Sequence, residues 1–306
     1  MDYQVILEEI NNEIKPYLNQ GKVADYIPAL SQANSNDFAM SLQLLDGTSY
    51  HVGCSDLHFS IQSISKVFTF SLALDIYSKA IYNRVGHEPS GNAFNSLVQL
   101  EYEKGIPRNP FINAGAIVTT DSLISHHKSS LKAYEEIESF ISSLCDESIT
   151  FDETIYKSEL ECGFRNVALI NLMKSFGNID NDVQAVIKTY FKHCSLMMST
   201  KQLCRSMLYL ANHGTDPITN ITHINEPKAK RINSLMLTCG HYDASGDFAF
   251  HVGLPGKSGV GGGIVALIPK KMSLCVYSPS LNKQGNSLVG TKALELFTTK
   301  TGLSIF

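Results

Sequence analysis

A chain of 306 residues with 43% hydrophobic residues is long enough to bury a full core in one large domain or two. A net charge of −4 with scattered lysines, whose densest basic run at 228–231 is typical of a solvated helix face, argues against a nucleic-acid surface. The N-terminus lacks the pattern of a signal peptide and no apolar run has the length of a membrane span, so we expect a cytoplasmic protein with no membrane partner.

The seven cysteines are dispersed singly, with no Cys-x-x-Cys pair, and this pattern is typical of reduced, mostly buried thiols. The histidine pairs do not form a metal motif either. His126-His127 lies in a polar stretch, and His87-Glu88 is followed by Pro89, where a metalloprotease helix would have to continue. We therefore expect no structural metal.

Apolar spacing predicts an amphipathic helix over residues 2–18, with Val5, Ile6, Ile10 and Ile14 on one stripe. A β-hairpin is predicted next, from a strand at 38–45, a turn at Asp46-Gly47 and a strand at 50–52. Helical patterns then dominate the chain as far as residue 240, at 63–80, 114–126, 131–145, 165–176, 180–193, 199–213 and 226–239. Strands are predicted again at 247–254, 263–268 and 272–277, before a last helix at 286–301.

Strands at both ends of the chain, with helices between them, predict an α+β fold. Its sheet is mainly antiparallel and built from both chain ends, with packed helices and a helical insert. We expect residues 1–306 to form a single domain with two lobes. The α/β lobe comprises about 20–65 and 240–306, and the helical lobe about 66–239.

The spacing of Ser63 and Lys66 places both side chains on one face at the start of a helix, roughly 5–6 Å apart at Cβ. A desolvated lysine amine can activate a serine hydroxyl as a nucleophile. The alternative is a solvated helix turn, the usual role of an isolated Ser-x-x-Lys. Ser65, which lies between the two, is predicted to be a packing or capping residue.

The glycine-rich run at 256–263 is the second candidate motif. It does not fit a phosphate-binding loop, because His251 replaces the required glycine and a predicted strand follows the run instead of a helix. The missing helix argues against a dinucleotide fingerprint as well. One alternative is a glycine-rich strand edge that packs closely on another backbone. We favour another, because acyl-transfer enzymes with a Ser-x-x-Lys nucleophile carry a Lys-Ser/Thr-Gly strand, here Lys257-Ser258-Gly259.

These two motifs make the sequence similar to the serine-dependent glutaminases, which have a β-lactamase/transpeptidase-like fold. The absent Ser-Asp-Asn motif argues against a β-lactamase or transpeptidase. The similarity extends from Gly21 to the C-terminus and includes the segments 21–28, 62–66, 109–116, 159–166, 190–195, 239–243 and the Lys257 loop. The resemblance implies L-glutamine as substrate, no metal or organic cofactor, and assembly as a homodimer or homotetramer.

The resemblance also implies roles for individual residues. Ser63 is the nucleophile, Lys66 the general base and Tyr242 a proton relay, and the N–H groups of Ser63 and Val260 form the oxyanion hole. Besides Ser63 and Tyr242, the implied glutamine contacts are Tyr26, Gln62, Asn113, Glu159, Asn166, Tyr190 and Val260. The predicted reaction is hydrolysis to L-glutamate and ammonia through a serine acyl-enzyme. The alternatives are another serine amidase, esterase or peptidase, and a protein that binds glutamine without catalysis.

Several of these residues also have a purely structural interpretation. Asn113 and Asn166 start predicted helices and can act as caps, while Tyr190 fits a core position. We expect one of Glu159 and Glu161 to be solvated and Arg165 to be a structural ion-pair partner. Lys257 is equally compatible with proton transfer and with electrostatic shaping of the site. Whether Lys66 alone or Lys66 with Tyr242 takes the serine proton is left open by the sequence.

Overall fold

The computed structural model describes residues 1–91 and 96–306, and within these ranges the chain forms twelve α-helices and ten β-strands. The helices are α1 (Tyr3–Glu13), α2 (Ser65–Tyr77), α3 (Leu97–Tyr102), α4 (Asn113–His127), α5 (Ser130–Cys145), α6 (Glu153–Cys162), α7 (Phe164–Ser175), α8 (Val183–Cys194), α9 (Thr200–Ala211), α10 (Glu226–Cys239), α11 (Ser245–His251) and α12 (Leu288–Thr301). The strands are β1 (Lys22–Val23), β2 (Ala39–Leu44), β3 (Ser49–Gly53), β4 (Phe59–Ser60), β5 (Thr150–Phe151), β6 (Leu196–Met198), β7 (Gly256–Ser258), β8 (Gly263–Ile268), β9 (Met272–Tyr277) and β10 (Ser280–Leu281).

The main sheet has five strands in the order β3-β2-β9-β8-β7, and every neighbouring pair is antiparallel. It joins the N-terminal hairpin to three strands near the C-terminus, because β2 pairs along its whole length with β9. The predicted antiparallel sheet from both chain ends is therefore confirmed. Two shorter sheets, β1-β10 and β4-β6-β5, lie outside it and were not predicted.

The sheet separates two hydrophobic cores, because residues along a strand point alternately to opposite faces. On the outer face, side chains such as Met40 and Leu274 pack against α1 and α12. On the inner face, side chains such as Val265 and Tyr277 join a larger core formed with the helices between β3 and β7. Helix α9 lies directly on β2 and β9, and α2 runs through the interior of the helical layer.

The N-terminal helix differs from the prediction in its length and in its buried face. Helix α1 ends at Glu13, and a short 3₁₀ turn over Lys15–Tyr17 follows, because Pro16 cannot continue an α-helix. Its buried positions are Tyr3, Leu7, Ile10 and Ile14, spaced by three and four residues. Val5, which was assigned to the buried stripe, is 47% exposed.

The strand predicted over 247–254 is wrong, because residues Ser245–His251 form helix α11. Phe248 is buried and stacks on His241 with ring centroids 3.5 Å apart, whereas Phe250 is 84% exposed. Phe248 and Phe250 therefore lie on different sides of a helix that packs on α10. In a strand, two residues at this spacing would share one face. The edge strand of the sheet begins five residues later, at Gly256.

The remaining predictions agree with the structure to within a few residues at each end. The strands at 263–268 and 272–277 and the helix at 226–239 have the predicted bounds. The predicted helix at 63–80 is divided into a 3₁₀ turn at Gln62–Ile64, helix α2 and a second 3₁₀ segment. Helices α3 and α6 were not predicted.

Candidate active site

Ser63 lies in the 3₁₀ turn that leads into α2, at the edge of the interior, and is 8% exposed. The backbone around it is strained on two sides. Gln62 has φ +47° and Tyr242, which contacts Ser63 from another segment, has φ +60°. Side chains this large rarely occupy the left-handed region, and such strain is typical of functional sites. Both conformations hold these side chains next to the serine.

Tyr242 shares a hydrogen bond with Ser63. Its hydroxyl also donates to the carbonyl of Ser258 at 3.4 Å. Burial raises the pKa of Tyr242 to about 12, against the lowering effect of the hydrogen bonds from Ser63 and Ser258. The phenol is therefore protonated at neutral pH. It can relay a proton between neighbouring groups, but it does not retain an additional one.

Lys66 is fully buried one turn further along the same helix. Its amine donates to the side-chain oxygen of Asn113 at 2.6 Å and to the carbonyl of Phe111 at 3.3 Å. Burial lowers the pKa of Lys66 to about 8, although Cys194 and Glu159 act in the opposite direction. Lys66 is thus an amine that can lose its proton near physiological pH, as the sequence predicted.

Strand β7 runs beside this turn, and a side chain at Gly259 would prevent the contact. A Cβ atom there would lie 2.5 Å from the carbonyl oxygen of Ile61 and 3.4 Å from the backbone nitrogen of Ser63. Within residues 1–91 and 96–306, the N–H groups of Ser63 and Val260 have no backbone acceptor. Two unused donors beside the serine are what an oxyanion hole requires.

Lys257 lies on β7 and is fully buried behind Tyr242, with its amine 4.4 Å from the centre of the tyrosine ring. It donates to the carbonyls of Gly240 and Ser258 at 3.0 and 2.5 Å. Burial, with a smaller effect of Lys66, lowers its pKa well below the ordinary lysine value. The predicted lysine strand thus lies next to Ser63, and the Lys257 amine contacts both the Tyr242 ring and the backbone of the strand.

A pocket of about 90 Å³ opens in front of Ser63. All seven additional residues predicted to contact glutamine line this pocket together with Ser63, namely Tyr26, Gln62, Asn113, Glu159, Asn166, Tyr190 and Val260. Lys66 and Tyr242 lie behind its wall, where Lys66 reaches Asn113 and Tyr242 reaches Ser63. The structure therefore brings the whole predicted set together.

Glu159 supplies the carboxylate of the pocket. It is 6% exposed, whereas Glu161 is exposed, so the solvated member of the pair is Glu161. Burial raises the pKa of Glu159 to about 7, while a hydrogen bond from Gln62 and the charge of Lys66 act to lower it. A buried carboxylate next to a polar pocket is suited to bind a cationic group, and that group would stabilise its charged form.

Asn113 and Asn166 do not cap their helices. Asn113 is the first residue of α4, but its amide oxygen accepts from Lys66 and its amide nitrogen donates to Asn166 at 2.9 Å. Asn166 lies in the first turn of α7, just after Gly163, which joins α6 to α7. A Cβ atom at Gly163 would lie 2.4 Å from the ring of Phe191, so this junction requires glycine.

The two tyrosines of the pocket differ in exposure. Tyr190 is 3% exposed and its ring faces the Lys66 amine at 6.0 Å, so it is a core residue that also lines the pocket. Tyr26 is 54% exposed, but desolvation raises its pKa well above the ordinary tyrosine value, with smaller contributions from Tyr242 and Glu159. Both hydroxyls are therefore protonated and can donate hydrogen bonds.

The pocket also contains residues that the sequence analysis did not assign to it, namely Ile27, Cys162, Gly163, Arg165 and Cys194. Arg165, which was expected to be a structural ion-pair partner, is exposed on the pocket wall. Helical spacing could have indicated Cys162 and Cys194, which follow Glu159 by three residues and Tyr190 by four. Burial raises the pKa of Cys194 to about 12, so its thiol is uncharged.

Ser65 points away from the pocket, into the interior. Its hydroxyl lies 2.9 Å from Nδ1 of His193, whose Nε2 lies 3.1 Å from the hydroxyl of Thr120. Because Thr120 donates to a backbone carbonyl, its oxygen accepts from Nε2, and Nδ1 accepts from Ser65. Burial lowers the pKa of His193 to about 3, so the ring is uncharged. Ser65 is a packing residue, as predicted.

Two features are absent from the part of the chain that the structure describes. No cluster of three or more His, Cys, Asp or Glu side chains there could hold a metal ion. No helix there is long and apolar enough to cross a membrane.

Comparison with known proteins gives a consistent result. A family model described as Glutaminase matches residues 21–306. The glutaminase of Aliarcobacter butzleri is 67% identical to this chain over 100% of both chains. The glutaminase of Rhizobium rhizogenes is 53% identical, over 100% of this chain and 99% of the relative.

Solved structures with the same fold are also glutaminases. A probable glutaminase, ybaS, superposes with a TM-score of 0.93 at 34% identity, over 100% of this chain and 99% of its own. The Bacillus subtilis glutaminase YbgJ, in a covalent complex with 5-oxo-L-norleucine, superposes with a TM-score of 0.90 at 32% identity over 100% of both chains. These neighbours have the β-lactamase-like fold, which confirms the predicted fold class. The chain belongs to the glutaminase family, whose members are hydrolases that act on the amide bond of glutamine.

Proposed function

We propose that this chain hydrolyses L-glutamine to L-glutamate and ammonia through an acyl-enzyme on Ser63. The observation that carries the proposal is the pocket, which joins Ser63, two backbone N–H groups without a backbone acceptor among the described residues and one buried carboxylate. Ser63 Oγ attacks the carbon of the side-chain amide while its proton leaves through Tyr242, the group with which it shares a hydrogen bond. The amine of Lys66, with a pKa of about 8, is the final acceptor of that proton.

The developing oxyanion is stabilised by the N–H groups of Ser63 and Val260. Preorganised donors of this kind contribute several kcal/mol to lowering a barrier, about 3–4 kcal/mol for one donor. The proton that left Ser63 is then delivered to the amide nitrogen, which departs as ammonia. A water molecule attacks the acyl-enzyme by the reverse proton route and releases glutamate.

The other end of the pocket binds the α-amino acid group. Glu159 provides the negative charge for the α-ammonium, and the uncharged donors of Asn166, Tyr190 and Tyr26 suit the α-carboxylate. Gln62 holds Glu159 in place through its hydrogen bond. The Bacillus subtilis relative became covalently modified by 6-diazo-5-oxo-L-norleucine, a reaction that requires a nucleophile in a pocket that accepts this compound.

The decisive variant is Ser63→Ala. It should release ammonia from glutamine about 10⁴-fold more slowly or worse, because no nucleophile remains, while circular dichroism and thermal unfolding stay close to wild type. After reaction with 6-diazo-5-oxo-L-norleucine and loss of N₂, mass spectrometry should find a 5-oxo-L-norleucine group on a peptide with Ser63 in the wild type and no adduct in the variant. Ser65→Ala is the matched control, since Ser65 faces His193. An unchanged rate in Ser63→Ala would overturn the mechanism.

The same preparation distinguishes the two alternative functions. Faster turnover of an ester or of nitrocefin than of glutamine would favour a different serine amidase or esterase. Thermal stabilisation by glutamine without ammonia release would favour a binding protein.

We further propose one domain of two lobes, about 20–65 with 240–306 and about 66–239, because the inner core contains residues of both parts, such as Val67 and Val265.

A homodimer or homotetramer in the cytoplasm is also proposed. Phe164, 77% exposed beside the pocket, supports burial in an assembly, and all seven cysteines are unpaired, which suits a reducing compartment. Light scattering coupled to size-exclusion chromatography tests the assembly, because a monomer at micromolar concentration would refute it.

A further inference from the structure

Asn113 lines the pocket and also contacts Lys66 directly. Its amide oxygen lies 2.6 Å from the Lys66 amine, and both side chains are buried. The amide oxygen faces Lys66 and accepts from its amine, which offers N–H donors in either protonation state. The amide nitrogen then turns towards Asn166, to which it donates at 2.9 Å. The amide is therefore fixed from both ends.

The number of acceptors around Lys66 matters for its chemistry. Within residues 1–91 and 96–306 its amine has two hydrogen-bond acceptors, Asn113 Oδ1 and the carbonyl of Phe111. An uncharged amine has two N–H bonds and one lone pair, so these acceptors use both N–H bonds and leave the lone pair unoccupied. An ammonium would carry a third N–H bond for which the site offers no protein acceptor.

Both acceptors are also uncharged, and this influences the protonation state of the Lys66 amine. An amide oxygen orients the amine without strongly favouring the cation, whereas a carboxylate at the same place would hold the proton on Lys66. We propose that Asn113 is a positioning residue for the general base, which keeps the Lys66 amine oriented and uncharged. This inference rests on the proposed function, since it concerns the base of that reaction.

The other titratable groups around Lys66 come from three elements. Helix α6 contributes Glu159, which favours the cation, and α8 contributes Cys194, Tyr190 and His193, all uncharged at neutral pH. Strand β7 contributes Lys257, whose amine disfavours a second nearby charge. Glu159 is the one carboxylate among these groups, and it lies on the substrate side of the pocket. Asn113 is therefore the closest place where a single atom exchange can add a negative charge next to Lys66.

The substrate links the two ends of this arrangement. Asn166 lines the pocket, and its side-chain oxygen accepts a hydrogen bond from Asn113. An α-carboxylate that binds Asn166 is therefore connected through Asn113 to the Lys66 amine. Substitution of Asn113 should consequently affect kcat and its pH dependence, and not only the Michaelis constant. A pure substrate ligand would mainly change KM.

The test uses the nearly isosteric variant Asn113→Asp in the full chain, with Asn166→Asp as the matched control. A carboxylate within 4 Å of an amine raises its pKa by about 1–3 units. The acidic limb of the kcat/KM profile for glutamine should therefore move to higher pH by about 1–3 units in Asn113→Asp. The activity should recover on the alkaline side. The control adds the same charge one amide further away, so it should raise KM and shift the limb less.

A readout without catalysis separates this inference from the proposed function. The lysine side chains can be labelled with ¹³C at Cε, and the Lys66 signal assigned with Lys66→Met. Its titration midpoint should rise by at least about one unit in Asn113→Asp. If this occurs in a protein that does not hydrolyse glutamine, the proposed function fails, whereas the control of the Lys66 amine by Asn113 stands. An unmoved Lys66 midpoint, or a change confined to KM, would overturn the inference.

Asn113→Ser covers the case in which the aspartate variant does not fold. Serine is too short to reach Lys66, so the amine loses its orienting acceptor. We expect a loss in kcat of about 10²-fold with little change in KM. The reverse pattern, with kcat retained and KM raised, would contradict a positioning role.

Discussion

The two faces of the main sheet cover hydrophobic cores of different size and differ in the chemistry that they bury. On the outer face, β2, β8 and β9 present apolar side chains to α1 and α12, among them Leu42, Ile264 and Leu274. The inner face includes Ser41 and Ser273, which hydrogen-bond to Thr200 and to the carbonyl of Cys204 on the α9 side. Beyond them, the helical layer buries Lys66 completely.

This difference shows which part of the fold provides stability and which part provides chemistry. Burial of apolar area is the main favourable term in folding, and the outer face consists almost entirely of such contacts. A buried amine opposes folding unless hydrogen bonds or opposite charges compensate for its lost hydration. We therefore expect Lys66, buried near Ser63, to lower the stability of the inner layer. Replacement of an apolar residue on the outer face and replacement of Lys66 by an apolar residue should therefore change stability in opposite directions.

The largest expected change in the free energy of unfolding comes from Phe297→Ala on the outer face. Phe297 is fully buried in α12 and stacks on Tyr3 with ring centroids 6.3 Å apart. Its truncation should destabilise the protein by about 3–5 kcal/mol in urea unfolding, with kcat unchanged at temperatures where the variant is folded. Phe250→Ala, at an 84% exposed position, is the control and should change little. Equal changes in the free energy of unfolding for the two variants would show that the outer core is not the source of stability.

The next effect has the opposite sign and is expected for Lys66→Met on the inner face. The variant should lose activity by about 10³-fold but unfold at higher urea concentration at pH 7, because a desolvated amine is replaced by an apolar chain of similar length. Lys66 has its pKa lowered from 10.5 to about 8, so between these values the unfolded chain binds a proton that the folded chain does not. Wild-type stability therefore rises with pH across this window.

It follows that the advantage of Lys66→Met is greatest below about pH 8 and shrinks towards pH 10.5. Exposed Lys230→Met is the matched control, with no such pH-dependent difference from the wild type. A variant less stable than the wild type at pH 7 would show that the buried amine contributes to folding, and the contrast between the faces would fail.

The smallest effect is expected at the rim of the outer face. Lys300 on α12 contacts Glu9 and Glu13 of α1 at 2.9 and 2.7 Å. These ion pairs are accessible to solvent, so Lys300→Met should lower the melting temperature far less than Phe297→Ala. Any difference should vanish in about 1 M salt, where charges are screened within about 3 Å. A large decrease that salt does not change would show that the helix pair depends on more than apolar contacts.

The sequence could indicate candidate site residues where their grouping depends on local spacing. Ser63 and Lys66 are one helical turn apart, and Lys257-Ser258-Gly259 covers the end of strand β7 and the residue after it, so each motif could be identified in a short window. The pocket residues followed from the resemblance, not from periodicity. The contact between Lys66 and Asn113 joins residues 47 positions apart, and nothing in a linear pattern indicates that these two side chains meet.

The errors in the fold have the same origin. The segment 247–254 contains residues that favour strands, but packing of Phe248 on His241 makes it a helix. The short strands β4, β5 and β6 have two or three residues each, so they have no alternation that a sequence window could detect. In both cases contacts between distant segments decide the local structure.

The left-handed backbone at Gln62 and Tyr242 has a consequence for laboratory evolution of this protein. Glycine adopts such a conformation without strain, so a screen that rewards only heat resistance would accept glycine at both positions. The survivors would lose the two side chains that lie next to Ser63. A search for a more durable catalyst must therefore score product formation in every round, since survival on heating selects against the working enzyme at these two positions.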